Sequence, residues 1–178
     1  MAKSPVAEIS DILKSQGKFF SASQNVITPI ALPEWTPTTI TGNELSLRGH
    51  CMGHVTLLTI CFTAYSEPHL ESFRRPFLEA GGRLIDVRPL MSRIKWLLFS
   101  RLLRSTALAT LPESIQNSFI VAYRPMQLLD TLTVPNYLGA YVYLIDRHAQ
   151  VRWKASGKAT EAELAAMKRI TKELLSEK

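Results

Sequence analysis

The stretch Val55-Thr56-Leu57-Leu58-Thr59-Ile60-Cys61-Phe62, followed by Tyr65-Ser66-Glu67-Pro68-His69 and then Leu70-Glu71-Ser72-Phe73-Arg74-Arg75-Pro76-Phe77, decides the fold. The first run is apolar and β-branched, too short to cross a membrane, and reads as a buried strand. The last run reads as a helix from about His69 to Ala80, which Pro76 is expected to kink or end. Between them lies a tight strand-to-helix turn carrying a hydroxyl, a proline and an imidazole. As a nucleophile–base pair, Ser66 and His69 would need an orienting third group and an oxyanion hole. No nucleophile elbow accompanies them, and Ser66 is expected instead to cap the helix by accepting backbone N–H bonds.

Working outward, Ser4-Pro5 has the form of an N-cap followed by proline. Val6, Ile9, Ile12 and Leu13 continue at helical spacing until Gly17. Residues 18–38, broken by Pro29, Pro33 and Pro37, read as an extended arm that packs across a surface without forming an element of its own. The chain therefore divides into an N-terminal helix and arm over 1–36 and a domain over 37–178. Thr38-Thr39-Ile40 and Leu45-Ser46-Leu47 read as two short strands around Gly42-Asn43. Further strands are expected at 83–87, 119–123, 140–146 and 150–154, with a helix over 91–104 and a linker to Pro112. A last helix opens with the capping box Thr160 to Glu163. Strands alternating with helices, then a hairpin and a helix, give an α/β fold. It has a central mixed sheet of about five strands flanked by helices.

The chain has 178 residues, 46% hydrophobic and 20% charged, enough for one ordinary domain with its own core. Its net charge of +6 admits nucleic acid, an anionic membrane surface or a compartment of basic proteins. With no aromatic-glycine RNA motif and no zinc-finger spacing, nucleic acid is not expected. Cys51 and Cys61, if both lie on one extended segment, stand about 30 Å apart, beyond the roughly 7 Å that a disulfide allows. Both read as reduced. The N-terminus does not read as a signal or transit peptide, since Glu8 and Asp11 come early and no arginine precedes Arg48.

The order of elements, and the strand, turn and helix around Ser66, Pro68 and His69, resemble the thioredoxin-like fold. Two redox cysteines would stand at Ser66 and His69, with Pro68 retained between them. Thiol–disulfide exchange needs a thiolate that attacks sulfur, and neither serine nor histidine forms a disulfide. The resemblance also places Ala140 where such enzymes carry a cis-proline, so their substrate-docking geometry is expected to be absent. A second resemblance is narrower. Leu138-Gly139-Ala140-Tyr141-Val142-Tyr143-Leu144-Ile145-Asp146, Val151-Arg152-Trp153 and Ser156-Gly157-Lys158-Ala159-Thr160 are similar to the C-terminal signature of the mitochondrial ATPase complex subunit ten family. Ser92-Arg93-Ile94-Lys95-Trp96-Leu97-Leu98 resembles its basic, tryptophan-containing middle. That resemblance implies a peripheral protein on the matrix side of the mitochondrial inner membrane. It would assist assembly of the membrane (Fo) sector of ATP synthase by contacting a newly made subunit. A permanent place in a large inner-membrane complex is the alternative it leaves open.

His50-Cys51-Met52-Gly53-His54 gathers soft-metal donors, but without a paired-cysteine spacing it is not expected to hold a metal. No cofactor and no catalysis are expected. Tyr141, Tyr143 and Trp153 read as cross-strand aromatic packing. Arg74, Arg83, Arg88 and Arg93 read as a solvated basic face. The richest partner surface is the 91–104 helix. Met91, Ile94, Leu97, Leu98 and Leu102 form one apolar stripe and Trp96, Phe99 and Leu103 a second, with four positive charges and no acid. A surface helix needs one apolar face, so the second stripe is covered by the arm or meets a partner, whether protein or membrane interface. Arg93, Trp96, Phe99, Leu103 and Arg104 are the candidate contact residues.

Overall fold

The structure, a computed structural model, describes residues 17–20 and 26–177. The helix expected before Gly17 lies outside the described residues. Six strands form one open sheet: β1 (Val26–Ala31), β2 (Thr56–Cys61), β3 (Arg83–Leu90), β4 (Phe119–Tyr123), β5 (Ala140–Ile145) and β6 (Gln150–Ser156), in the order β1-β6-β5-β2-β3-β4. β2, β3 and β4 run parallel, while β5, β6 and β1 are antiparallel to their neighbours. Among the described residues six helices accompany them: α1 (Leu47–Cys51), α2 (Glu67–Glu79), α3 (Arg93–Thr110), α4 (Glu113–Gln116), α5 (Met126–Thr131) and α6 (Glu161–Ser176).

β2 is buried at every position because both faces of the sheet are covered. Its alternate side chains enter different layers. Leu58 and Ile60 join Ile85, Val87, Tyr141 and Tyr143 under α1 and α5. Leu57 and Cys61 join Val142, Leu144 and Trp153 under Leu70, Phe73 and Phe77 of α2 and Met167, Ile170 and Leu174 of α6. Trp153 thus packs on Phe73, with ring centroids 6.0 Å apart. It lies on the opposite face of the sheet from Tyr141 and Tyr143, which pack in the layer under α1 and α5.

Several expectations are corrected. The sheet has six strands because the arm supplies β1 at its edge, against β6. Pro29 and an irregular register between Val26 and Ile30 remove the alternation that would have marked it, and an edge is where a strand accepts proline. The hairpin around Gly42-Asn43 is reduced to a single bridge, Thr38 to Glu44. Ser46 starts α1 instead, its hydroxyl accepting from Gly49 N at 3.2 Å. Helix α2 continues through Pro76 to Glu79. Helix α3 absorbs the expected linker, ending only before Pro112. The capping box of α6 is present, Glu163 N donating to Thr160 Oγ1 at 3.2 Å and Thr160 N to Glu163 Oε2 at 2.8 Å.

Candidate functional site: the strand-to-helix turn and helix α3

At the carboxyl end of β2 the chain makes one 3₁₀ turn, Ala64–Ser66, and enters α2 at Glu67 with Pro68 in the first turn. Ser66 is buried, yet its side chain makes no capping bond. Its own backbone is already helical (φ −86°, ψ −8°), whereas a capping residue is extended. Its Oγ lies 3.0 Å from Thr63 Oγ1 and donates to Leu138 O at 3.2 Å. Thr63 Oγ1 donates to the same carbonyl at 3.1 Å. The two hydroxyls therefore pin the turn to the loop before β5, and Ser66 is not bonded to His69. The His69 ring stands edge-on to Tyr65 at 5.7 Å, with a buried, unpartnered Nδ1. Burial, with Lys158 and Lys18 nearby, lowers its pKa. Pro68 is exposed beside it.

Neither cysteine replaces the missing pair. Both are free and buried. Cys61 donates to Thr63 O at 3.2 Å, and burial pushes its thiol up to about 12. Cys51 is not on an extended segment but closes α1 inside the core, where burial pushes it up to about 11. Thiols so placed are almost wholly protonated at neutral pH, and the thiolate is the nucleophile. Because Cys51 points into the core while His54 is exposed, the His50–His54 donors do not converge. Among the described residues no cluster of three or more His, Cys, Asp or Glu is placed to hold a metal.

Beneath the turn, between the sheet and α2, four charges interlock. Arg74 Nη2 lies 2.6 Å from Asp86 Oδ2, and Arg88 Nη2 lies 3.4 Å from Asp86 Oδ1. Thr59 Oγ1 donates to Asp86 Oδ1 at 2.9 Å, and Glu67 pairs with both arginines. Burial alone would raise the Glu67 carboxyl, but the Arg88 and Arg74 charges outweigh it and hold it below the usual carboxylate range. Arg74 is thus buried and Arg88 half-buried, both paired, and neither belongs to the solvated basic face expected. No local pattern announces this cluster, since its members lie up to 29 positions apart and are brought together by the β2–β3 pairing and the packing of α2 on it.

Helix α3 starts at Ser92 and runs free of glycine and proline. Three of its side chains seat it on the edge strand β4. Trp96 stacks near Tyr123 at 5.9 Å, Arg104 Nη2 donates to Val121 O at 3.1 Å beneath the Trp96 ring, and Ala107 is buried. Of the five candidate contact residues, Trp96 and Arg104 are therefore half-buried against β4, while Arg93, Phe99 and Leu103 are exposed. The other stripe faces outward: Ile94, Leu97, Leu98 and Leu102 are 59–70% exposed. Residues 26–31 of the arm run along β6 at the opposite edge of the sheet; the chain then crosses to β4, where Thr39 bridges Ile120 and Ile40 packs with Ala107, on the inward side of α3. Between the 3₁₀ turn and α3 lies a groove of about 310 Å³ lined by Cys61, Phe62, Glu67, Arg88, Leu90 and Leu103, among others. It sits at the carboxyl ends of the parallel strands, where open α/β sheets place their ligands.

A six-stranded mixed sheet with this strand-to-helix turn defines a thioredoxin-like protein, and comparison with solved structures agrees. A secreted thiol-disulfide isomerase from Corynebacterium glutamicum is similar with a TM-score of 0.64 at 12% identity, covering 90% of this chain and 98% of that one. A DsbF homologue from Corynebacterium diphtheriae matches with a TM-score of 0.57 at 11% identity, over 85% and 90%. The pneumococcal exposed lipoprotein thioredoxin from Streptococcus pneumoniae matches with a TM-score of 0.53 at 16% identity, over 80% and 100%. No curated protein sequence matches. The profile of the ATP10 protein family matches residues 1–174, and the chain belongs to that family.

Proposed function

We propose that this chain is a redox-inactive assembly factor for mitochondrial ATP synthase. It holds a hydrophobic subunit of the membrane sector at the matrix face of the inner membrane until the proper neighbour arrives. Membership of the ATP10 family supports the ATP synthase connection. The substitution of serine and histidine at the redox positions supports binding over thiol chemistry. The observation that carries the reading is the concentration of exposed apolar side chains. Seven of the twelve large exposed hydrophobics among the described residues lie on α3. Single exposed apolar residues are ordinary, but a contiguous set marks an interaction surface.

The client surface on this reading is the groove between the 3₁₀ turn and α3, continued by Phe99 and Leu103. A client segment there gains from apolar burial, about 25 cal/mol per Å² before the costs of association. Arg93, Trp96 and Arg104 frame the surface, the last two chiefly by fixing α3 on β4. No described helix is long and apolar enough to cross a membrane, which is compatible with a peripheral position. Affinity purification of the chain from mitochondria after chemical crosslinking tests the proposal. A membrane-sector subunit of ATP synthase is expected among the partners, and recovery of none contradicts it.

A further inference from the structure

We propose that α3 is a membrane-surface helix. Its outward row, Ile94, Leu98 and Leu102, enters the headgroup–acyl boundary of an anionic bilayer while Lys95 and Arg101, one on each flank, reach the lipid phosphates. This rests on the proposed function and names the surface on which the client is met.

The inward face of α3 is fixed by Trp96, Arg104 and Ala107 on β4. At 100° per residue the opposite side carries Ile94, Leu98, Leu102, Ser105 and Ala109, with Arg101 on one flank and Lys95 on the other, while Arg93 falls on the side of Trp96 and Arg104. The helix holds four cations and no acid, out of a net charge of +6 for the chain, and no acidic residue occurs between Asp86 and Glu113. Among the described residues Arg93, Lys95 and Arg101 make no ion pair. The same helix, about 27 Å long, is too charged to cross a bilayer, and an aliphatic row between basic flanks lies in the interface. A bilayer offers apolar depth below and anionic charge above along the whole helix, and long basic side chains span that step by their stems. A protein groove would have to supply acids along both rims to match.

The test uses the full chain and vesicles of phosphatidylcholine, alone or with about one-third phosphatidylglycerol. Binding to the phosphatidylglycerol vesicles is expected, weakened by high salt. Combining Lys95→Gln and Arg101→Gln should lower it roughly 25-fold, at about fivefold per cation. Combining Ile94→Ser, Leu98→Ser and Leu102→Ser should abolish it without changing far-ultraviolet circular dichroism. An environment-sensitive dye on Leu98→Cys, with Cys51 and Cys61 buried, should shift to the blue on those vesicles only. Equal partition into both vesicle types, undiminished binding of the triple-serine chain, or a dye that stays in water overturns the assignment. A chain that ignores both vesicles yet still retains an ATP synthase subunit overturns the lipid surface alone. A chain that binds vesicles but retains no such subunit overturns the proposed function alone.

Discussion

Asp86 holds two arginines under the strand-to-helix turn, Arg74 from α2 at 2.6 Å and Arg88 from its own strand at 3.4 Å. Because the carboxylate and Arg74 are both buried, Asp86→Asn removes the buried partner of the guanidinium and leaves it the half-exposed Glu67. A loss of about 3 kcal/mol, the lower end for breaking a buried pair, is expected by urea denaturation. Glu67 offers a pH test. Its folded pKa is depressed by Arg88 and Arg74 against the effect of burial, so the unfolded chain binds its proton more readily. The stability it contributes is present above the ordinary glutamate pKa, near 4.3, and is lost as pH falls through the lower folded value. Thermal melts of Glu67→Gln should show a shallower acid-side decline than the native chain. An unchanged decline contradicts the assignment. None of this was legible in the sequence, where Glu67 is a helix-start acid and Arg88 a surface-looking base.

At the scale of elements, legibility followed burial. β2 and β5 are covered on both faces, so their continuous apolar runs announce them. The Thr160–Glu163 signature marks α6 because its bonds are local. Thr160→Ala removes that cap and should cost about 1 kcal/mol, read by denaturant midpoint. β1 carries no sequence signal because Pro29 and a register shift erase its period, and α1 none because five residues depend on one capping serine. The periodicity of α3 marks a helix but not its orientation. Two apolar stripes offer two inner faces, and the choice is made by partners outside the helix, the Val121 carbonyl and the Tyr123 ring. Exposed residues of α3 should therefore separate stability from binding. Leu98→Ser is expected to change unfolding free energy by no more than about 0.5 kcal/mol. Trp96→Ala should loosen α3 from β4 and raise amide exchange along the helix, measured by mass spectrometry.

For the molecule as a whole, a thioredoxin-like sheet carries a strand-to-helix turn, Ala64–Ser66, that holds no sulfur, and its two thiols are buried and held protonated. Its insulin-reduction rate should equal that of a Cys51→Ala/Cys61→Ala chain. What distinguishes the surface is the aliphatic, basic helix on one edge of the sheet, beside a groove at the carboxyl ends of the parallel strands. On the proposed function, this shape serves ATP synthase assembly without thiol chemistry. The most direct measurement is the amount of assembled ATP synthase on native gels from cells lacking this chain and resupplied with the Cys51→Ala/Cys61→Ala form. Restoration to the level given by the native chain is predicted. Failure to restore it, with the variant folded and present at normal abundance, contradicts the claim.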